Sequence, residues 1–164
     1  MGPLTLSISI ARPPAEVFEY LADVANHAEF SDHYLLDWHL TRVDSYGRGA
    51  GARFRIAAPG ARFNWADVTL AEVDPPHRIV ETGYGGKFNR IKTTASYTLE
   101  PAGDGVTRVE FSCETEPATV TDRLIERLGA QRWMRRKATR ALERLRSILE
   151  DDRDRGRRAT IAGA

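Results

Sequence analysis

The chain has 164 residues, of which 41% are hydrophobic and 29% are charged, and its 24 basic and 23 acidic residues nearly cancel. This composition is typical of a globular domain and excludes a chain that is disordered throughout or embedded in a membrane. Because the net charge is close to zero, no whole-chain field attracts nucleic acid, and we expect no nucleic-acid partner on this ground.

Cysteine content and the N-terminal residues bear on the compartment. Cys113 is the only cysteine, so no disulfide can form within the chain. The first residues lack the charged region and long apolar run of a secretory signal. No stretch approaches the ~20 apolar residues of a membrane span. We therefore expect a cytoplasmic protein without a membrane span.

The first half of the chain predicts a strand, a helix and then a meander of strands. Alternating apolar residues over 4–10 predict a strand, and apolar residues at helical spacing predict an amphipathic helix over about 14–25. The segment 26–37 predicts a short helix or an ordered loop. From Trp38 onward, strand-like runs separated by glycine- and proline-rich turns indicate an antiparallel meander.

Several of these strands have a recognisable inward face. The apolar positions that alternate with polar ones are Phe54, Ile56, Ile91, Thr93, Ala95, Tyr97, Leu99, Val109, Phe111, Cys113 and Thr115. We interpret Cys113 on this face as a small core residue. In the segment 63–70 both faces carry apolar and polar groups, so its inward side stays open.

The last part of the chain changes to a helical period. Apolar residues predict a helix over about 121–150, ~45 Å long at 1.5 Å per residue, and Gly129 either bends or interrupts it. The apolar stripe comprises Leu124, Leu128, Ala138, Leu142, Leu145 and Leu149. Residues 151–164 have no periodicity and predict a charged, flexible tail.

This order of elements resembles the helix-grip fold of the START, Bet v 1 and polyketide cyclase superfamily. Four local motifs are similar to those of the family: PAEVFEYLADV at 14–24, GAGARF at 49–54, VDPPHRI at 73–79 and GVTRV at 105–109. The resemblance implies an α+β fold in which a curved antiparallel sheet wraps a long C-terminal helix around an internal cavity. We expect one such domain over residues 1–150.

The resemblance also implies binding of a hydrophobic or aromatic small molecule, lipid-like or polyketide-like. It leaves open whether the protein is an enzyme of the polyketide cyclase/dehydratase type. Our cavity candidates are Tyr34, Trp65, Tyr84, Thr93, Tyr97, Phe111 and Trp133. Aromatic walls remove guest surface from water, and hydroxyl groups orient the guest.

In cyclases of this superfamily, tyrosine and arginine side chains of the cavity assist proton transfers. Tyr34 follows the first helix, where such a tyrosine is found, whereas the strand around Asp67 lacks the expected arginine. Tyr34 is therefore either catalytic or a packed residue at the cavity rim. If the cavity performs acid–base chemistry, the catalytic candidates are Tyr34, His33 and Asp67.

Metal and cofactor motifs are weak in this chain. His27, His33 and His39 recur every six residues, which is the wrong spacing for ligands on one helical face, so we expect surface or rim histidines. The glycine-rich run 47–51 leads into a strand and not into a helix N-terminus, which argues against nucleotide binding. We expect no metal and no cofactor.

The predicted last helix carries a basic cluster that offers an alternative function. Its members are Arg132, Arg135, Arg136, Lys137, Arg140, Arg144 and Arg146, with Glu143 as the single acid among them. The cluster is either a solvated outer face or the binding surface of a non-enzymatic interaction module with a macromolecular partner. The sequence is compatible with a monomer or a homodimer.

Overall fold

The computed structural model describes residues 3–58, 64–116 and 131–161. The strands are β1 (Leu4–Ile10), β2 (Leu35–Leu40), β3 (Gly51–Ile56), β4 (Trp65–Asp74), β5 (Arg78–Gly85), β6 (Ile91–Pro101), β7 (Thr107–Glu116) and β8 (Thr160–Ile161). The helices are α1 (Pro14–Leu21), α2 (His27–Ser31) and α3 (Gln131–Asp151), with 3-10 turns at Val24–Asn26 and Lys87–Asn89.

In the described part of the chain, the eight strands form one open sheet in the order β1-β7-β6-β5-β4-β3-β2-β8. Neighbouring strands pair antiparallel, except that β8 runs parallel to β2. Helix α3 packs against β1 and α2. This arrangement confirms the α+β helix-grip fold expected from the sequence.

The helix predicted over 14–25 is shorter than expected. Helix α1 ends at Leu21, and Asp23 adopts an extended conformation with φ −98° and ψ 103°. The Asp23 carboxylate accepts a hydrogen bond from the backbone N–H of Ala25 at 3.1 Å and so caps the following 3-10 turn. The capping interaction ends one helix and starts the next element, because aspartate favours helix N-termini over helix interiors.

The inward faces of β6 and β7 are those that the sequence predicts. Tyr97 lies opposite Phe111 and Ala95 lies opposite Cys113, and all four side chains are buried. Strand β4, whose inward side the sequence left open, buries Val68 and Leu70, so the odd-numbered residues from Trp65 to Thr69 face outward. After the bulge between Leu70 and Glu72 the parity changes, and Val73 packs against the core.

The predicted apolar stripe of the last helix is confirmed for the described residues. The buried side chains of α3 are Ala138, Ala141, Leu142, Leu145 and Ile148. The predicted start of the helix at about 121, with Leu124, Leu128 and Gly129, lies outside the described residues. Within the ranges that the structure describes, no helix combines the length and the apolar character needed to cross a lipid bilayer.

The end of the chain differs from the flexible tail that the sequence predicts. Residues 152–161 return along α1 and α2, where Arg155 pairs with Glu29 and Arg158 pairs with Asp23. Backbone hydrogen bonds from Gly156 to Glu29 (2.8 Å) and from Ala159 to Ala25 (3.0 Å) continue this contact. The arginines that suggested a solvated tail instead meet carboxylates on the helices, and β8 then extends the sheet edge.

Candidate functional site

A cavity of about 310 Å³ lies between the inward face of the sheet, helix α2 and the described start of α3. The aromatic residues that line it include Phe30, Tyr34, Trp38, Phe54, Tyr97, Phe111 and Trp133, and Tyr84 borders it. The volume lies at the lower end of the range usual for small-molecule sites. The walls therefore offer a mainly apolar, aromatic environment to a compact guest.

A buried ion pair lies in the wall of this cavity. His27 Nδ1 is 2.8 Å from Glu81 Oε1, and the side chains are 4% and 11% exposed. His27 Nε2 lies 2.7 Å from the carbonyl oxygen of Leu21. Because that carbonyl can only accept, Nε2 carries a hydrogen, and Nδ1 is the nitrogen that faces Glu81. When His27 is protonated, its positive charge lies next to the Glu81 carboxyl group.

The pKa of His27 is raised, although the largest single effect acts the other way. Burial lowers it, and the charge and hydrogen-bonding of Glu81, with the Leu21 carbonyl, more than offset burial. Glu81 Oε1 is buried and has no hydrogen bond of good geometry within the described residues, so its 2.8 Å contact with His27 Nδ1 is mainly electrostatic. Among the residues that the structure describes, the His27 ring is thus the nearest partner of this carboxylate.

Three neutral polar groups surround the pair. Burial, and to a smaller degree the charge of Glu81, raises the pKa of the Tyr34 and Tyr97 hydroxyls, and it raises the pKa of the Cys113 thiol to about 12. All three groups remain protonated at neutral pH. The Tyr97 ring also packs edge-on against His27 at a centroid distance of 5.7 Å. The polar end of the cavity therefore combines one ion pair with uncharged donors.

Strand β5 places Glu81 in the cavity wall and keeps space free beside it. Its inward positions are Ile79, Glu81, Gly83 and Gly85. A Cβ atom at Gly83 would overlap the carbonyl oxygen of Asp67 on the neighbouring strand. Glycine at this position allows the two backbones to approach closely, and it leaves no side chain to occupy the space next to Glu81.

Five of the seven predicted cavity residues line the cavity with inward or buried side chains. These are Tyr34, Thr93, Tyr97, Phe111 and Trp133. Tyr84 borders the cavity, but its side chain is 51% exposed on the outward face of β5. Trp65 does not line the cavity, because it faces outward on β4 and contacts the His39 ring and the Arg53 guanidinium.

Two of the three predicted catalytic residues lie away from the guest space. Asp67 borders the cavity by its position on β4, but its side chain faces outward toward Arg53, with Oδ1 3.5 Å from Nε. His33 lies at α3, where Nε2 is 3.2 Å from the Lys137 carbonyl oxygen. Chemistry in the cavity therefore needs groups other than His33 and Asp67, and Tyr34 is the predicted residue that remains.

The expectation of surface or rim histidines is wrong for His27. Its ring is 3% exposed and packs against Phe30 and Tyr97. His39 instead lies on the exposed side of β2, beside the Asp37 carbonyl oxygen. The three histidines occupy separate places in the fold, because the end of α2 and the turn after it separate their side chains.

Glu81 is not among the site residues that the sequence predicts. The sequence does contain a signal for it. Glu81 lies two positions after Ile79 in a segment typical of a strand, so the alternation of side chains places both residues on the same face. A carboxylate on a buried face requires a partner. That partner, His27, lies 54 positions earlier in the chain, and no local pattern connects the two residues.

The basic cluster of the last helix is divided by the fold. Arg132, Arg135, Arg136 and Arg140 are exposed to solvent. The Arg144 side chain is only 16% exposed, and it donates to Asp32 at 2.5 Å and to the Glu29 carbonyl oxygen at 2.8 Å. Arg144 therefore has a structural role in holding α2 against α3.

An open antiparallel sheet, a long C-terminal helix and an apolar cavity between them define a helix-grip protein of the START and Bet v 1-like class. Within this class, the chain belongs to the polyketide cyclase / dehydrase and lipid transport family, whose model matches residues 1–150. Membership in this family, together with the cavity, supports binding of a hydrophobic ligand.

Solved structures agree on the fold. The protein KanY is 20% identical with a TM-score of 0.70, and the match covers 91% of this chain and 99% of that one. Norcoclaurine synthase from Thalictrum flavum is 12% identical with a TM-score of 0.61, over 87% and 86%. DynU16, a putative protein in the dynemicin biosynthetic locus, is 17% identical with a TM-score of 0.62, over 95% and 50%. A comparison with curated proteins finds no match.

Proposed function

We propose that the protein binds an aromatic or polyketide-like small molecule in the cavity between the sheet and α3. The observation that carries the proposal is the aromatic cavity of about 310 Å³ with the buried His27–Glu81 pair in its wall. Burying two charged side chains costs free energy. A core that serves only for packing would be expected to contain apolar residues at these positions instead.

The aromatic walls and the polar groups of the cavity contribute to binding in different ways. Aromatic contacts from Tyr97, Phe111 and Trp133 remove guest surface from water, at roughly 25 cal/mol for each Å² of apolar area. Tyr34 and Tyr97 line the cavity, and their hydroxyls can orient a polar group of the guest. The guest should therefore be mostly apolar with polar substituents at one end.

A second candidate function is acid–base catalysis of the cyclase/dehydratase type on the bound guest. Glu81 would accept a proton from a carbon next to a carbonyl group, and the Tyr34 or Tyr97 hydroxyl would donate a proton to a leaving hydroxyl, which departs as water. Return of the proton from Glu81 to the tyrosine completes the balance. The observation that favours this function is the placement of a carboxylate and two protonated phenols in one enclosed space.

Two similar structures suggest which class of guest to test first. Norcoclaurine synthase is an enzyme by name, and DynU16 is a putative protein of a biosynthetic locus. Both are similar to this chain in fold alone, so the substrate of neither transfers to it. They make a biosynthetic intermediate a sensible first class of guest to test.

Native mass spectrometry of freshly purified protein, followed by solvent extraction, tests the proposal. We expect a mass shift that disappears on extraction and the release of one apolar aromatic compound. An empty protein that also remains unliganded against a panel of aromatic compounds and lipids would contradict the proposed function. Turnover of a recovered compound, lost in Tyr97→Phe with binding retained, would identify the catalytic alternative.

A further inference from the structure

We propose that the His27–Glu81 pair is a recognition subsite that selects uncharged, hydroxyl-bearing aromatic guests and rejects carboxylates. The inference rests on the proposed function and names the guest chemistry that the cavity accepts. Family membership alone is compatible with two classes of guest, fatty acids and neutral phenolic compounds. The inference distinguishes them, because fatty acids carry a carboxylate and neutral phenolic compounds do not.

The charged groups in the cavity wall oppose a carboxylate guest. Among the described residues that line it, no lysine or arginine is present, and His27 and Glu81 are its buried charged pair. The Glu81 carboxylate already faces the His27 ring at 2.8 Å, and a protonated His27 balances its charge. Among the described lining residues, a guest carboxylate would meet no free cation and would lie next to Glu81, and both burial and repulsion oppose this. A cationic guest would likewise leave one charge without compensation.

The hydrogen-bonding groups near the pair favour a hydroxyl group on the guest. Tyr34, Tyr97 and Cys113 are protonated donors near Glu81, and Glu81 is an acceptor in the same wall. A hydroxyl group on an aromatic ring both donates and accepts, so it satisfies the two kinds of group at once. A hydrogen bond to a charged acceptor is also stronger than one between neutral groups.

The cavity has free space beside the pair. The inward position next to Glu81 along β5 is Gly83, which has no side chain to shield the carboxylate from a guest. The pair is thus buried from bulk water and still forms part of the cavity surface. A subsite with these properties can contact a guest without first breaking a packed interface.

Three probes of equal ring size test the inference on the full-length protein at neutral pH. They are naphthol, naphthoate and methylnaphthalene, all substituted at the same ring position and titrated by calorimetry or fluorescence. We expect naphthol to bind about tenfold more tightly than methylnaphthalene, and naphthoate to bind more weakly than both.

The variant Glu81→Gln tests whether the pair causes this order. It removes the repelling charge and provides an amide donor, so we expect naphthoate to gain about tenfold in affinity and naphthol to lose its advantage over methylnaphthalene. The matched control is Glu110→Gln on the exposed outer face of β7, which should leave all three affinities unchanged. If Glu81→Gln fails to fold, the double variant His27→Gln/Glu81→Gln keeps hydrogen-bonding groups at both positions without a buried charge.

The outcomes separate this inference from the proposed function. Binding of all three probes with equal affinity, or tightest binding of naphthoate, would overturn the subsite and leave the hydrophobic container intact. An unchanged preference in Glu81→Gln would also overturn it. If the wild-type protein binds none of the probes, the container proposal fails and the subsite falls with it.

Discussion

His27 Nδ1 lies 2.8 Å from Glu81 Oε1, and the opposite nitrogen of the same ring lies 2.7 Å from the Leu21 carbonyl oxygen. One imidazole thus connects the end of α1, the start of α2 and the middle of β5. Because the ring is fixed on both sides, it orients Glu81 in the cavity wall. The same contacts stabilise the packing of the helices on the sheet.

Removal of Glu81 should be strongly destabilising. In Glu81→Ala, His27 keeps its buried position but loses the carboxylate that compensates its charge. Breaking one side of a buried pair typically costs about 3–5 kcal/mol, which urea unfolding at pH 6 to 7 would detect. The control Glu110→Ala, at an exposed position of β7, should change the unfolding free energy by less than about 0.5 kcal/mol. Equal effects of the two variants would show that the pair does not contribute to stability.

The free energy of unfolding should depend on pH through the protonation of His27. Its pKa in the folded protein is above the ordinary value of 6.5, mainly because Glu81 outweighs the effect of burial. A raised folded pKa means that the stabilisation is fully present below pH 6.5 and is lost as the pH rises through the folded pKa. The groups that face the ring are Glu81, Asp23 and the protonated Tyr97.

The comparison of wild type with His27→Gln isolates this effect. The difference in unfolding free energy should fall by up to about 1.4 kcal/mol for each pH unit between 6.5 and the folded pKa. His33 has a lowered pKa and acts in the opposite direction, but it is present in both proteins and cancels. A difference that grows with pH would mean that His27 is neutral in the folded state.

The returning C-terminal segment should stabilise the helices that carry the site. Arg155 pairs with the buried carboxylate of Glu29, which also accepts a hydrogen bond from the Tyr20 hydroxyl at 2.6 Å. Arg155→Ala leaves Glu29 with one partner fewer, and we expect a loss of about 1–2 kcal/mol in urea unfolding, since the arginine is partly exposed. The neighbouring Arg157 is exposed, and Arg157→Ala is the matched control. Equal stability of the two variants would argue that residues 152–161 contribute little.

Local patterns predicted most of the fold and part of the site. Alternation along β6 and β7 identified Thr93, Tyr97 and Phe111 as inward residues, because a sheet with one wet face must separate apolar from polar positions. The helical stripe likewise identified Leu142 and Leu145. These features depend on the spacing of apolar residues within one strand or helix, so a short segment of the sequence is enough to predict them.

The remaining features depend on contacts between distant parts of the chain. Trp65 is an aromatic residue in a strand with mixed faces, and only the pairing of β4 with its neighbours shows that it points outward. Glu81 and His27 become a site because α2 packs over β5. Arg155 and Arg158 have the sequence character of a solvated tail, and their carboxylate partners lie more than a hundred residues away.

The central claim is that a hydrophobic guest occupies the cavity, and Thr93 provides the most direct test. Thr93 lines the cavity, whereas the next residue, Thr94, lies on the opposite face of β6. Naphthol would be titrated against wild type, Thr93→Trp and the control Thr94→Trp, after circular dichroism confirms that all three proteins are folded. The account predicts that Thr93→Trp abolishes binding and that Thr94→Trp binds as wild type does. Unchanged binding in a folded Thr93→Trp variant would contradict the claim that the guest lies in this cavity.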